Sequence, residues 1–471
     1  MPANRVKLVD MGRILQALQH FFQSFRATPL LSKRFVFSYA GVEKDEEDEA
    51  FYEDAYFLGD PMKENPSLAT CSLSFAMASF SSNKVREGLK YQAENGINFL
   101  QNCAFFDIET PAYFGDETSR EGIAFVIGRK RIKRKKTKPF TLIAIGVRGG
   151  NYGREWASNV KVGLADRHEG FNESASQLQK AFLDYVLRHN IKGEIRVWVS
   201  GFSRAAAVTN LFAQDLPAQI GKASIKATYA YCFACPNVTR VNSLAPSSTH
   251  NYINPNDIVP GVPLKEWGYS RYGRVTYLKT EPVPDEFSQI RIDVAHIFNK
   301  QKRFHREPGL DKRAFLDRLC VYLGERIGLV DYVQRLQEGL CAFMGLVDTK
   351  LQNPYQAFGD VLGETFRMLG ETYGAFSLLR MIRSPKTEWD RVLLPLIERA
   401  VEGKPYVLDS ALIASTISDF LFLIRQDLWD EREMFLTLCD MKNIRSVFSE
   451  HSPARYLKAL KKLDPHFAEN A

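Results

Sequence analysis

The sequence predicts an α/β protein with a mostly parallel central sheet and a large helical insertion, on three observations. Residues 195–210 pass from a β-branched and aromatic run through Gly201 and Ser203 into an alanine-rich segment, the pattern of a strand, a tight turn and a helix. Around it, short apolar runs alternate with an amphipathic pattern, as a parallel sheet with crossover helices requires. From about residue 302 to 447 the texture changes to helical runs with few strand-like stretches.

The 471 residues are long for one core, so either two units or one domain with an insertion is expected. Residues 1–110 read as a helical and loop region packed on the core, with apolar helical stretches at 69–78 and around Phe99 and Leu100. The acidic run from Glu43 to Asp54 has no calcium-loop spacing and reads as a solvated loop. The α/β core is assigned to 111–300. Its nearly continuous apolar runs at 123–127 and 140–147 fit strands buried on both faces. Leu178, Phe182, Tyr185 and Val186 set a helical stripe within 171–190, and a further strand is expected over 225–234. Asp257 follows, on a loop just past a short strand.

Helical runs at 315–323, 332–347, 357–369, 389–401 and 411–428 make 301–446 a helical insertion, read as a cap or lid over the carboxyl edge of the sheet. An independent helical domain is the alternative. Residues 447–471 return to the core, with His451 in the loop before a helix opened by Pro453.

Composition narrows the function classes. A hydrophobic content of 45% and a charged content of 25% describe a soluble globular chain, and no stretch approaches the roughly 20 apolar residues of a membrane span. The first 28 residues lack the continuous apolar core of a secretory signal, and seven thinly spread cysteines fit a reducing compartment; a cytoplasmic location is expected. Cys232 and Cys235 lie in a strand-like run with no second pair, so packing is preferred to metal or redox use. The net charge of +7 is concentrated in Arg129, Lys130, Arg131, Lys133, Arg134, Lys135, Lys136 and Lys138. They read as an exposed hairpin, either a plain solvated tip or a patch for an anionic membrane surface. No nucleic-acid motif surrounds them.

A serine on a sharp strand-to-helix turn has its hydroxyl pushed out at the top of a sheet, next to the N–H groups that open the helix. Gly201 and Ala205 are the small neighbours that such a turn needs. A serine hydroxyl is a poor nucleophile until an imidazole takes its proton and a carboxylate orients the imidazole. Asp257 is the candidate acid. Of the eight histidines, His296, His305, His451 and His466 follow it; His451 is preferred and His305 comes next. The developing oxyanion needs two donors. The backbone N–H of Arg204 is one, and the Gly149–Gly150 pair at a strand end offers the other.

Together, Val147-Arg148-Gly149-Gly150 with Glu155-Trp156, His168-Glu169-Gly170-Phe171, Gly201-Phe202-Ser203-Arg204-Ala205, Asn254-Pro255-Asn256-Asp257-Ile258-Val259-Pro260 and His451-Ser452-Pro453 resemble the fungal-type triacylglycerol lipase family, especially its intracellular-looking bacterial branch. The resemblance implies an α/β-hydrolase fold with Ser203 as nucleophile, Asp257 as acid, His451 as base and Gly150 with Arg204 as oxyanion donors. It departs from the family pattern at Gly150, where a serine or threonine is usual, at Ala205, where the second elbow glycine is usual, and in a long acid-to-base interval. The expected activity is hydrolysis of lipid or other acyl esters, with no metal or organic cofactor. Thioester hydrolysis or acyl transfer on the same triad is an alternative. So is an idle hydrolase scaffold that binds a partner or an anionic membrane.

Overall fold

The computed structural model describes residues 30–40, 45–80, 93–114, 122–133, 138–149, 158–241, 247–279, 320–321, 324, 327–346, 360–369, 371–372, 384–404, 410–426 and 450–468. Among them a mixed sheet forms the centre. Its strands are β3 (Phe106–Glu109), β4 (Ala112–Phe114), β5 (Gly122–Ile132), β6 (Phe140–Val147), β7 (Gly193–Phe202), β8 (Gln219–Ile220), β9 (Ala223–Phe233), β10 (Thr249–Ile253) and β11 (Arg274–Tyr277). Strands β6, β7, β9, β10 and β11 run parallel in the order β11-β10-β9-β7-β6. Beyond β6 the direction reverses, because β5 pairs antiparallel with both β6 and β3.

The apolar runs of β6 and β7 are buried on both faces, as their composition predicts. Ile143, Ile145, Val197 and Val199 face one core layer, under α3 (Glu169–Arg188) and α4 (Arg204–Gln214). Leu142, Ala144, Trp198 and Phe202 face the other. That second layer is filled by the N-terminal region. Helix α1 (Pro66–Ala78), capped by Asn65, whose Oδ1 accepts from Leu68 N at 3.0 Å, is buried along nearly its whole length. It lies against β7, where Trp198 Nε1 donates to Ser72 Oγ at 2.8 Å and Ser200 Oγ donates to Ser72 O at 2.7 Å. Helix α2 (Glu94–Asn102) packs beside it through Phe99, stacked on Phe75 at 5.3 Å.

Two expectations are corrected here. The acidic run is not a solvated loop: Asp45–Glu53 is strand β2, paired antiparallel with β1 (Ser32–Ala40). Alternation explains it, since Ala50 and Tyr52 turn inward with Phe35 and Phe37 while Glu47 and Glu49 face water. The N-terminal region therefore carries a hairpin as well as helices. Nor is the basic stretch all exposed tip, because β5 continues through Ile132. Lys130 is buried, its Nζ 2.7 Å from Asp54 Oδ1 and 2.9 Å from Cys103 O, and Arg129 Nε donates to Asp107 Oδ2 at 2.6 Å. Arg131, Lys133 and Lys138 are exposed; Arg134, Lys135 and Lys136 lie outside the described residues.

Within 301–446, helices run over residues 329–346 (with α5, Gln337–Leu346, at its end), 360–369, α6 (Lys386–Val401) and α7 (Ser410–Gln426). Residues 327–337 rest on loops at the carboxyl edge of the sheet. Trp267 Nε1 donates to Ile327 O at 2.6 Å, and Tyr332 Oη donates to Val160 O at 2.7 Å. Gln337 Oε1 accepts from the backbone N–H groups of Val162 and Gly163, at 3.0 and 3.1 Å. Among the described residues no helix is long and apolar enough to cross a membrane. The last helix, α8 (Pro453–Lys461), begins at Pro453 as predicted and packs on α1.

His168 caps α3. Its Nδ1 accepts from Phe171 N at 3.4 Å, its Nε2 lies 3.1 Å from Asn159 O, and its ring stacks on Phe171 at 3.7 Å. Full burial, with the Arg204 guanidinium as a smaller effect, depresses its pKa from 6.5 to about 3. The folded state keeps this imidazole neutral while the unfolded chain protonates it below pH 6.5. Its contribution to stability is therefore complete above about pH 6.5 and is lost as pH falls toward 3. Urea unfolding at pH 7.5 and pH 5 should show a loss of about 2 kcal/mol that His168→Gln does not show.

Candidate active site

The turn between β7 and α4 is tight. Ser203 has φ 61° and ψ −127°, a strained conformation for a residue with a side chain, and its N–H is held by Phe233 O at 2.8 Å. Gly201 is required there: a Cβ on it would lie 2.4 Å from Ala205 O and 2.8 Å from Thr209 Oγ1. Ala205, the departure from a second glycine, is fully buried among the alanines of α4. Arg204 opens α4, but its guanidinium turns into the core, with Nε donating to Ser158 Oγ at 2.9 Å and Nη2 to Ser174 Oγ at 2.6 Å. Only its backbone is left to serve the elbow.

Asp257 stands on the loop after β10, where Asn254 shapes the turn by accepting from Asn256 N at 2.9 Å through Oδ1. The Asp257 carboxylate is fully engaged and buried. Oδ1 accepts from Val259 N at 2.9 Å, and Oδ2 accepts from His451 Nδ1 and Tyr456 Oη, each at 2.8 Å. His451 completes the line: its Nε2 is 2.8 Å from Ser203 Oγ. A carboxylate only accepts, so Nδ1 carries the proton and Nε2 faces the serine hydroxyl as acceptor. The Phe202 ring lies 5.0 Å from the imidazole and fixes its tilt.

The sequence therefore nominated three residues, Ser203, Asp257 and His451, that the fold brings into one hydrogen-bonded line. Of the other candidate bases, His305 and His296 lie outside the described residues. His466 stacks on Phe51 at 3.8 Å, away from the line. Gly150 is likewise outside the described residues. Its neighbour Gly149 sits where a Cβ would be 2.5 Å from the Phe80 ring and 3.2 Å from Phe202 O, so this strand end closes directly on the elbow.

Three supporting residues escape sequence reading. Tyr456 bonds Asp257 from the first turns of α8. Burial first, and then the Asp257 charge, hold its phenol pKa well above the ordinary value, so it stays a donor. Asn254 Nδ2 donates to Glu450 Oε2 at 3.1 Å, tying the acid loop to the residue before His451. Arg271 donates through Nη2 to Asn237 Oδ1 at 2.6 Å and to Pro260 O, bracing the far side of the acid loop; burial lowers its pKa. A phenol five residues after the histidine and an asparagine three before the acid are the only sequence signals, and neither is distinctive alone.

No protein-family model and no curated protein matches the chain. Solved structures do. A mutant form of MDLA from Penicillium cyclopium is 18% identical, over 45% of this chain and 80% of that one, with a TM-score of 0.30. A lipase from Rhizopus microsporus var. chinensis is 19% identical over 47% and 77%, with a TM-score of 0.31. The propeptide complex of Rhizomucor miehei lipase is 16% identical over 45% and 66%, with a TM-score of 0.27. Among the described residues no cluster of three or more histidine, cysteine, aspartate or glutamate side chains is arranged to hold a metal ion.

Tyr456→Phe removes one donor from a buried carboxylate, and a stability loss of about 1.5–3 kcal/mol is expected by urea unfolding at pH 7.5. Gly201→Ala forces the elbow open and should cost at least about 2 kcal/mol by the same measurement.

Proposed function

We propose that the chain is a serine ester hydrolase acting on lipid or other acyl esters. The observation that carries this reading is the single imidazole of His451, 2.8 Å from the Ser203 hydroxyl on one side and 2.8 Å from the Asp257 carboxylate on the other. His451 lies 194 positions from Asp257 and 248 from Ser203, so no local turn preference brings it to them.

In the proposed reaction Ser203 Oγ attacks the ester carbonyl carbon as His451 Nε2 takes the hydroxyl proton. Asp257 stabilises the imidazolium without accepting its proton. The carbonyl π pair moves to oxygen, where the N–H of Arg204 at the start of α4 and the N–H of Gly150 are assigned as donors, each worth about 3 kcal/mol in comparable sites. Collapse expels the alcohol, which leaves with the proton from His451. Water then attacks the acyl-serine by the same sequence, releasing the acid and restoring the serine. The chemistry asks for no cofactor.

The helical segment 301–446 is assigned as a cap over this edge, and the contacts of Ile327, Tyr332 and Gln337 with the carboxyl-edge loops support that placement. Exposed Leu164, Val241, Val262 and Val330 on the same loops and on the segment itself favour an apolar acyl chain over a small polar ester.

A fluorophosphonate probe should label the wild type at Ser203. Labelling should vanish in Ser203→Ala, and hydrolysis of a short-chain nitrophenyl ester should fall by about 10⁴-fold or more in Ser203→Ala and His451→Ala. His305→Ala should retain both. A folded wild type that takes no label sinks the hydrolase reading in favour of an idle scaffold.

A further inference from the structure

The strands of the parallel sheet all point their carboxyl ends at Ser203, Asp257 and His451, so the β5–β6 hairpin and the starts of β7 and β9 lie at the opposite edge. The pairing register aligns the lysines of that edge. Thr141 pairs with Ile195, which places Lys138 and Lys192, each three residues earlier, at the same level. Gly193 N donates to Lys222 O at 3.1 Å, which sets Lys222 beside Lys192 on the next strand. Lys133 follows Ile132, the partner of Phe140, on the far side of β6. Four exposed lysines thus form a row across four adjacent strand ends, spanning about 15 Å at the usual strand spacing. None makes an ion pair among the described residues, and the nearby acid Glu194 is occupied by Arg196 Nε at 3.0 Å.

A second observation lies within the row. Leu187, at the end of α3, is 59% exposed, the most exposed large apolar side chain among the described residues. Its Cδ2 stands 3.5 Å from where a Cβ on Gly221 would be, directly before Lys222. Gly193 and Gly221, both at positive φ, leave the backbone between the lysines bare.

We propose that this edge is a docking surface for an anionic bilayer, with Lys133, Lys138, Lys192 and Lys222 meeting lipid headgroups and Leu187 entering the interface. An exposed leucine amid lysines suits headgroups over acyl chains; a purely polyanionic partner gives it nothing to enter. The orientation follows from the sheet. The ten residues of β7 separate Lys192 from Ser203, about 35 Å at 3.3 Å per residue, so a docked molecule holds its catalytic edge away from that bilayer. The docking itself does not depend on the hydrolase reading.

The full chain is sedimented with phosphatidylcholine–phosphatidylserine vesicles and with pure phosphatidylcholine vesicles, at low and high salt. Binding to the first alone, lost at high salt, is expected. Each lysine near such a surface contributes about fivefold in affinity, so Lys138→Gln/Lys192→Gln/Lys222→Gln should bind about a hundredfold more weakly at an unchanged Tm. Leu187→Ser should weaken vesicle binding severalfold and leave binding to heparin, a polyanion without an apolar layer, untouched. Amide exchange on the vesicle should slow at 189–193 and 219–223 and stay unchanged at 257–264. Absence of binding to the anionic vesicles, or vesicle binding indifferent to Leu187→Ser and matched by heparin, overturns the proposal; slowed exchange at 257–264 alone overturns the orientation.

Discussion

The site depends on how the C-terminal segment is gripped by the N-terminal region. Ser67 Oγ in α1 donates to Asp464 Oδ1 at 2.7 Å, both buried, and Tyr456, Leu457 and Leu460 of α8 share one apolar core with Leu68, Phe75 and Trp198. Farther out, Arg34 of β1 donates to His466 O at 2.7 Å and lies 4.8 Å from the Phe467 ring, while Lys461 pairs with Asp48 of β2. His451 stands immediately before this anchored helix. The imidazole is held at the elbow less by its own loop than by the two ends of the described chain packing on one another.

Much of this was legible in the residues. The elbow was readable because its constraint is local: a glycine two before the serine, small residues after it, and a strand and helix on either side. Asp257 was readable for a related reason, as an acid in a polar turn following a short strand. His451 is preferred to His305 because Pro453 marks the start of α8 and leaves His451 in a loop, whereas His305 is flanked by Arg303 and Arg306. The supporting groups were not legible, because Tyr456, Asn254 and Arg271 act through contacts across space, and a buried phenol or guanidinium in a mixed segment looks like ordinary packing.

The acidic run and Lys130 depart from expectation for one reason: in both, strand alternation decides which side chains turn inward, whatever their charge. In β2 Ala50 and Tyr52 turn inward, Glu47 and Glu49 occupy the wet face, and Glu46 and Asp48, which share the inward parity, are met by the Tyr39 hydroxyl and by Lys461. At Lys130 the strand carries the ammonium inward, over the Tyr52 ring at 5.2 Å, where Asp54 and Cys103 O meet it. A charged side chain can be buried when every partner is supplied, and the partners here lie about 75 and 25 positions away, beyond the reach of pattern.

The grip of the chain's two regions on each other also sets when the line of Ser203, His451 and Asp257 can exist. A nascent chain can form the sheet, the elbow and the acid loop once β11 has emerged, yet it still lacks the imidazole. From the end of β11 at Tyr277, 174 further residues must be synthesised before His451 appears, and α8 must then find α1, which was made much earlier. The Ser203 hydroxyl therefore has no His451 imidazole beside it until α8 has docked on α1, and the hydrogen-bonded line forms only when these two regions have closed on each other.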